Sequence, residues 1–397
     1  PYRCWAELPE PSGVRQFVRT AHAGGWGSVM GGACRDGGAG AIVGASLPRD
    51  VHVPNMRRAM PWVVLLAGLL AAAPLAALDP DKAFHHYVRN TWSIEEGLPQ
   101  ISALAIAQDR QGYLWVGTQA GLARFDGVRF SVYTPENSPG LPGLWIQDLL
   151  VDPENRLWVS TYRGLAVRDH QGFREVRLAG AAAGTVTDTR DLVRTAAGEL
   201  LVAAPQGVFR VRDEELELAH PMSRPVTALL AAGDALLVGQ RGQVLRLADG
   251  VTELMPLPEG DEDTVVTELI EAQGRLWAGT SGGLFHREGS EWKRHEGGEP
   301  LSRAPIETLF EDSDGNLWVG MVENLARLRN GRVREIVTDE PAAAAVRAVF
   351  EDREGNVWFG GQWEGLTRVW NGWTRRYGKR EGLADPVLWS VARGTDW

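Results

Sequence analysis

The chain has 397 residues, with 41 Lys and Arg against 51 Asp and Glu, a formal net charge of −10. An acidic balance without a basic stripe argues against nucleic acid or an anionic lipid surface as partner. Its two cysteines, Cys4 and Cys34, both stand near the start, so the rest of the chain has neither a disulfide framework nor a paired-Cys metal site.

Residues 1–55 are Gly-rich, open on Pro rather than Met and show no repeat. They are expected to be an unstructured leader, upstream sequence read from a wrong start. Met56 begins a more regular segment: Arg57-Arg58, then an apolar run of 17 residues from Trp62 to Leu78 closed by small residues. Positive, apolar, small is the secretory signal layout, assigned here to residues 56–78. The competing reading is a retained membrane anchor, for which the run is short and interrupted by Pro74. Residues 1–78 hold seven Arg and four acids, leaving about −13 on the remainder.

From residue 84 onward one phrase recurs: Leu114-Trp115-Val116-Gly117-Thr118, Leu157-Trp158-Val159-Ser160-Thr161, Leu276-Trp277-Ala278-Gly279-Thr280, Leu317-Trp318-Val319-Gly320 and Val357-Trp358-Phe359-Gly360. Leu200-Leu201-Val202-Ala203 and Leu236-Leu237-Val238-Gly239 are fainter copies. Taking the Trp or its Leu substitute, the steps are 43, 43, 36, 40, 41 and 40 residues. A period near 40 made of short strands predicts an all-β fold, a β-propeller of about seven four-stranded blades.

In the first unit the pattern predicts strands at 101–108, 113–118, 121–125 and 128–133, with Asp126-Gly127 as a hairpin turn. Leu114 and Val116 point opposite to Trp115, so the sheet is apolar on both faces and must stack on its neighbours. The Gly ending each second strand is expected to allow close approach of another strand. Phe84-His85-His86-Tyr87 resembles the fourth strands and is expected to close the ring. Residues 381–391 repeat the opening of a unit, so the chain is expected to be a fragment ending inside an eighth repeat, and the propeller region is assigned to 84–397.

Candidate chemistry is sparse. Asp312-Ser313-Asp314-Gly315-Asn316 opens like a calcium loop, with Glu323 at its twelfth position. The same turn recurs as Asp352-Arg353-Glu354-Gly355-Asn356, which favours a hairpin turn. His85 and His86, as neighbours on a strand, would face opposite ways. No Ser-His-Asp set, phosphate loop or metal-ligand constellation stands out, so neither a catalytic residue nor a metal or other cofactor is assigned. In a propeller the loops between second and third strands gather on one rim with the entries to the first strands. That rim here carries Tyr162, Arg163, Gln240, Arg241, Glu323, Asn324, Trp363 and Glu364, with Trp145 opening a first strand. Aromatic faces with Arg and amide donors suit a sugar, or an acidic or aromatic metabolite.

The phrase Gly-x-Leu-Trp-Val-Gly-Thr-x-x-Gly-Leu-x-Arg-Phe-Asp-Gly at 112–127, with the lead-in Glu96-Gly97-Leu98-Pro99-Gln100, resembles the two-component regulator propeller repeat. The resemblance covers about residues 84–391. It implies the periplasmic ligand-sensing half of a bacterial transmembrane receptor, followed by a β-sandwich, a membrane helix and a histidine kinase or diguanylate cyclase output that this chain lacks. The opening Trp92-Ser93-Ile94-Glu95-Glu96-Gly97-Leu98-Pro99 looks like the cyclase-linked branch. It also implies a small-molecule or oligosaccharide ligand, two-component or cyclic-di-GMP signalling, and a homodimer in the full receptor. Two other classes compete. A secreted propeller lyase would need a catalytic His or acid in the channel, and His170, His220, His286 and His295 do not recur at one repeat position. A protein-binding scaffold needs no site at all.

Overall fold

A computed structural model describes residues 78–180, 186–338, 340, 343 and 345–372. Within them lie 28 strands and one turn of 3-10 helix, Phe84–His86. The strands fall into seven antiparallel four-stranded blades: 105–133, 146–178, 192–221, 228–256, 266–294, 306–337 and a composite seventh. Blades 2 and 3 also touch at their outer edges, where Arg177 and Leu178 pair in parallel with Glu215 and Leu216. Blade 7 takes three strands from 346–370 and its outermost strand, Val88–Trp92, from the start of the ring.

The closing strand therefore lies four residues later than the sequence pattern indicated. Val88–Trp92 pairs antiparallel with Leu366–Trp370, in register from Val88↔Trp370 to Trp92↔Leu366. Phe84–His86 is helical, and Phe84 is a plug: its ring meets Trp318 at 6.3 Å and Phe359 at 5.7 Å, between blades 6 and 7. The strand argument about the two histidines fails with it, since their ring centroids lie only 4.1 Å apart. The first strand of blade 1 also starts later than expected, at Ala105, because Ala103 and Leu104 donate instead to carbonyls of Gly361 and Gly117. The eighth-repeat signal, the leader and all of the signal segment except Leu78 lie outside the described residues.

The core is a ring of seven clusters, one per blade interface. Trp115 packs with Ile146, Leu149, Leu157 and Val159 of blade 2. Its neighbours Leu114 and Val116 pack with Trp358 and Leu366 of blade 7. Alternation along one strand thus serves two interfaces. Trp158, Trp277, Trp318 and Trp358 repeat the arrangement toward blades 3, 6, 7 and 1. Where Leu201 and Leu237 replace the Trp, the volume is made up locally: Leu237 shares its cluster with Met255, Phe285 and Trp292.

Each Trp is tethered as well as buried. Asp109, Asp152, Asp312 and Asp352 accept the indole N–H of Trp115, Trp158, Trp318 and Trp358 at 2.9, 2.9, 2.8 and 2.7 Å. The other carboxylate oxygen accepts backbone N–H groups of the tight turn, as Asp312 does from Asp314 and Asn316. Asp312 is thereby a turn cap. Glu323 sits one strand away, beyond Asn316–Met321, so the two do not form a calcium loop. Blades 3 and 4 carry Thr195 and Ala232 at this position and lack the indole; blade 5 carries Ala272, whose carbonyl accepts the Trp277 indole N–H at 3.1 Å.

The glycine that ends the second strand meets the next blade. A Cβ on Gly117 would lie 2.6 Å from Ile146, one on Gly279 2.8 Å from Ile306, and one on Gly320 2.6 Å from the Val346 carbonyl oxygen. Gly320→Ala should therefore destabilise the ring by about 1–3 kcal/mol, because a backbone carbonyl cannot turn aside as a side chain can. A thermal melt checks this; an unchanged midpoint would mean that the interface yields there.

Candidate functional site

The inner strands of the seven blades surround a cavity of about 520 Å³, lined by residues near the start of each first strand. Trp145 lines its mouth and stacks on Tyr162 with ring centroids 6.2 Å apart and planes 29° from parallel. The pair is 49% and 57% exposed, unusual for two large aromatic rings in contact. One comes from the entry to blade 2, the other from the loop between its second and third strands, so the expected rim and the cavity meet here.

The walls hold a feature that was not anticipated. One position of each first strand pairs with the Gly column of the second strand, where Ser160 and Ala203 replace Gly in blades 2 and 3: Ala105, Asp148, Asp191, Ala228, Glu268, Thr308 and Ala348. Three of the seven are acids, and all three line the cavity. Asp148 accepts N–H groups from Leu149 and, across the blade boundary, Leu192, both at 2.8 Å. Asp191 accepts from Leu229 of blade 4 at 2.6 Å. These two acids staple inner strands together along the channel wall. The cations of the wall are already matched: Arg190 pairs with Asp188 at 2.7 Å, and Arg347 with Glu307.

Desolvation, then the Asp191 charge, holds the Asp148 carboxyl well above the ordinary carboxylate range. Desolvation also raises Asp191. For Glu268 the causes are desolvation and then Asp191 and Asp148. Crowding in a poorly hydrated place thus disfavours ionisation of all three carboxyls.

The other rim candidates are dispersed. Gln240 is buried, 2% exposed, and its amide is used internally, donating to the Arg224 carbonyl at 2.8 Å and accepting from Gln243 at 2.8 Å. Arg241 donates to the Asp263 carbonyl at 3.0 Å. Arg163 and Glu323 are exposed, Asn324 and Glu364 are half-buried, and Trp363 is 62% exposed. Among the nine, Trp145 alone lines the cavity, with Tyr162 as its stacking partner. No histidine lines it; His286 and His295 face each other 5.9 Å apart against Trp277 in blade 5. No group of three or more His, Cys, Asp or Glu among the described residues is arranged to hold a metal ion.

The raised carboxyl groups set a pH signature. Their folded-state pKa values lie above the unfolded ones, so their contribution is complete below about pH 4 and is lost as pH rises through the elevated values. The opposite slope comes from His220, His286 and His295, all lowered chiefly by desolvation, whose contribution is lost below about pH 6.5. Asp148→Asn keeps an acceptor and removes the charge. Between about pH 5 and about pH 8 its melting temperature should fall less than that of the unaltered chain, and at the upper end it should exceed it; parallel curves would refute the charge crowding.

The two-component regulator propeller family profile matches residues 97–120, 140–163 and 300–323. A 58-residue stretch is 41% identical to histidine kinase P4 of Formosa agariphila, covering 14% of this chain and 4% of that protein. Among solved structures, the extracellular domain of a hybrid two component system from B. thetaiotaomicron aligns with a TM-score of 0.62 and 22% identity, over 71% of this chain and 42% of that one. A second such domain from B. thetaiotaomicron gives 0.59 and 20%, over 72% and 40%. A virginiamycin B lyase from Staphylococcus aureus gives 0.56 and 12%, over 72% of this chain and 99% of that one. The structural likenesses establish the fold, and the chain spans less than half the length of the two-component relatives it matches. The chain is a seven-bladed β-propeller, three segments of which match the two-component regulator propeller repeat.

Proposed function

We propose that this propeller is the periplasmic ligand-sensing module of a bacterial transmembrane signalling receptor whose output domain is a histidine kinase or a diguanylate cyclase. The repeat and its similarity to a histidine kinase and to extracellular domains of hybrid two component systems support that context. No helix among the described residues is long and apolar enough to cross a membrane, so membrane attachment is assigned to other segments.

The observation that carries the sensing role is the channel cavity, lined by exposed Trp145, which stacks on Tyr162, and by Asp148, Asp191 and Glu268. A concave site with an aromatic platform and a few convergent polar groups is built for a small ligand. The three acids alter the expected ligand class: the ammonium of an amino sugar or another amine-bearing compound would draw these carboxyls into their ionised form and pair with them while its ring lies on Trp145, whereas an acidic metabolite would oppose their ionisation further. Binding changes an output only if the ligand prefers one of two receptor states. Adjacent blades are hydrogen-bonded around the cavity, with Thr227 donating to the Val266 carbonyl at 2.6 Å and Thr267 to that of Ile306 at 2.7 Å. A ligand spanning inner strands can therefore alter how the blades sit.

Thermal shift and calorimetry with matched amine-bearing, neutral and carboxylate-bearing sugars test the reading. The amine-bearing class should bind, and Asp148→Asn or Trp145→Ala should weaken it about tenfold, the loss of one charged or aromatic contact. Binding confined to the acidic class would refute the ligand assignment. Coding sequence that continued past residue 397 without a membrane helix and an output domain would refute the receptor.

A further inference from the structure

Leu78 is fully buried, packed with Phe84, Tyr87 and Trp318. Its backbone nitrogen donates to Oδ2 of Asp314, in the blade 6 turn, at 3.0 Å. The next residues are strapped down in series. Asp79 N–H donates to Oδ1 of Asn371 at 3.0 Å, and the Tyr87 hydroxyl to the Asp79 carbonyl at 2.6 Å. Arg327, itself buried, donates to the Tyr87 hydroxyl at 2.7 Å and to the Lys82 carbonyl at 2.9 Å. Phe84 N–H reaches the Glu335 carboxylate at 3.0 Å. Residues 78–87 thus form a clasp over blades 6 and 7, just ahead of the closing strand.

Immediately before Leu78 the sequence reads Leu75-Ala76-Ala77, at the end of an apolar run that follows Arg57-Arg58, so the bond after Ala77 has a small residue at the cut and an aliphatic one, Leu75, two places before it. That layout is cut by signal peptidases after small residues. The other small-residue match, Ala71-Ala72-Ala73, is followed by Pro74, whose ring nitrogen makes that peptide bond a tertiary amide.

We propose that the chain is processed between Ala77 and Leu78, and that the α-ammonium freed on Leu78 forms an ion pair with the Asp314 carboxylate. The cut is a hydrolysis: the Ala77–Leu78 amide bond breaks, water supplies the hydroxyl of the new Ala77 carboxyl group and a hydrogen of the new amine, and the amine takes up a proton. The donor that touches Asp314 is then cationic rather than neutral, and such charge-assisted bonds are roughly twice as strong. Because Leu78 is buried in the finished ring, the cut precedes folding, and the new terminus then helps to lock the clasp. The proposal rests on export of the chain and not on ligand binding.

Expression of the full chain in a Gram-negative host, followed by intact mass and N-terminal sequencing of the periplasmic fraction, tests it. Leu78 is the expected first residue. An exported chain that starts elsewhere overturns the cut site and leaves export standing; an uncut chain retained in the cytoplasm overturns both. For the ion pair, the chain beginning at Leu78 is compared with its N-acetylated form, each with Asp314 or with Asp314→Asn. The substitution should lower the melting temperature by roughly 2 °C with a free amine and by less with the acetylated one. Equal losses in the two backgrounds would show that Asp314 serves the turn alone.

Discussion

Everything in this fold depends on one arrangement, a two-faced apolar sheet that cannot exist alone. The second strand of each blade is buried along its whole length, or in blades 4 and 5 all but its first one or two residues, because Trp115 and its equivalents face one neighbour while the flanking aliphatic residues face the other. Each aromatic anchor covers roughly 150–250 Å², and it is stabilised only when the neighbouring blade is present. The chain therefore has to return to where it began. It does so through Trp92, stacked on Trp358 at 5.4 Å and edge-on to Phe125 at 5.0 Å, so that a single side chain of the closing strand joins the last blade to the first.

This arrangement was legible because it repeats. A Trp every 40 residues or so, a turn before it and a Gly after it all follow from the same packing; the Asp tether recurs in four blades, while Trp277 is held by the Ala272 carbonyl instead. The ring closure was misplaced for a local reason. Phe84, His85, His86 and Tyr87 imitate an aromatic fourth strand, yet Phe84 is more valuable as a plug between Trp318 and Phe359, and the chain winds into a helical turn to deliver it. The strand itself, Val-Arg-Asn-Thr-Trp, is polar at its centre because Asn90 and Thr91 are exposed.

The site was half legible. Trp145 and Tyr162 could be placed on one rim from loop topology alone. Gln240 could not be told from them, since nothing in its neighbourhood says that its amide is spent on Arg224 and Gln243. The acids of the channel were overlooked because Asp148 and Glu268 sit inside apolar runs and read as the solvent face of a strand. Only the pairing of each first strand with the Gly column shows that Asp148, Asp191 and Glu268 fall at one radius and face one space.

The borrowed outer strand of blade 7 also fixes an order of events. Thr91 and Thr367 share a hydrogen bond across 276 residues of chain. Val88–Trp92 leaves the ribosome before any blade and must wait, unpaired, until the whole ring has been made. Contacts that distant are formed late and slowly. Six blades can stack as they are made, but the seventh is completed only when the oldest strand finds the newest, so an interrupted synthesis leaves an open arc with a bare sheet edge at each end. Such edges invite pairing with another chain, which makes the last step of folding also the one that ends the chain's exposure to aggregation.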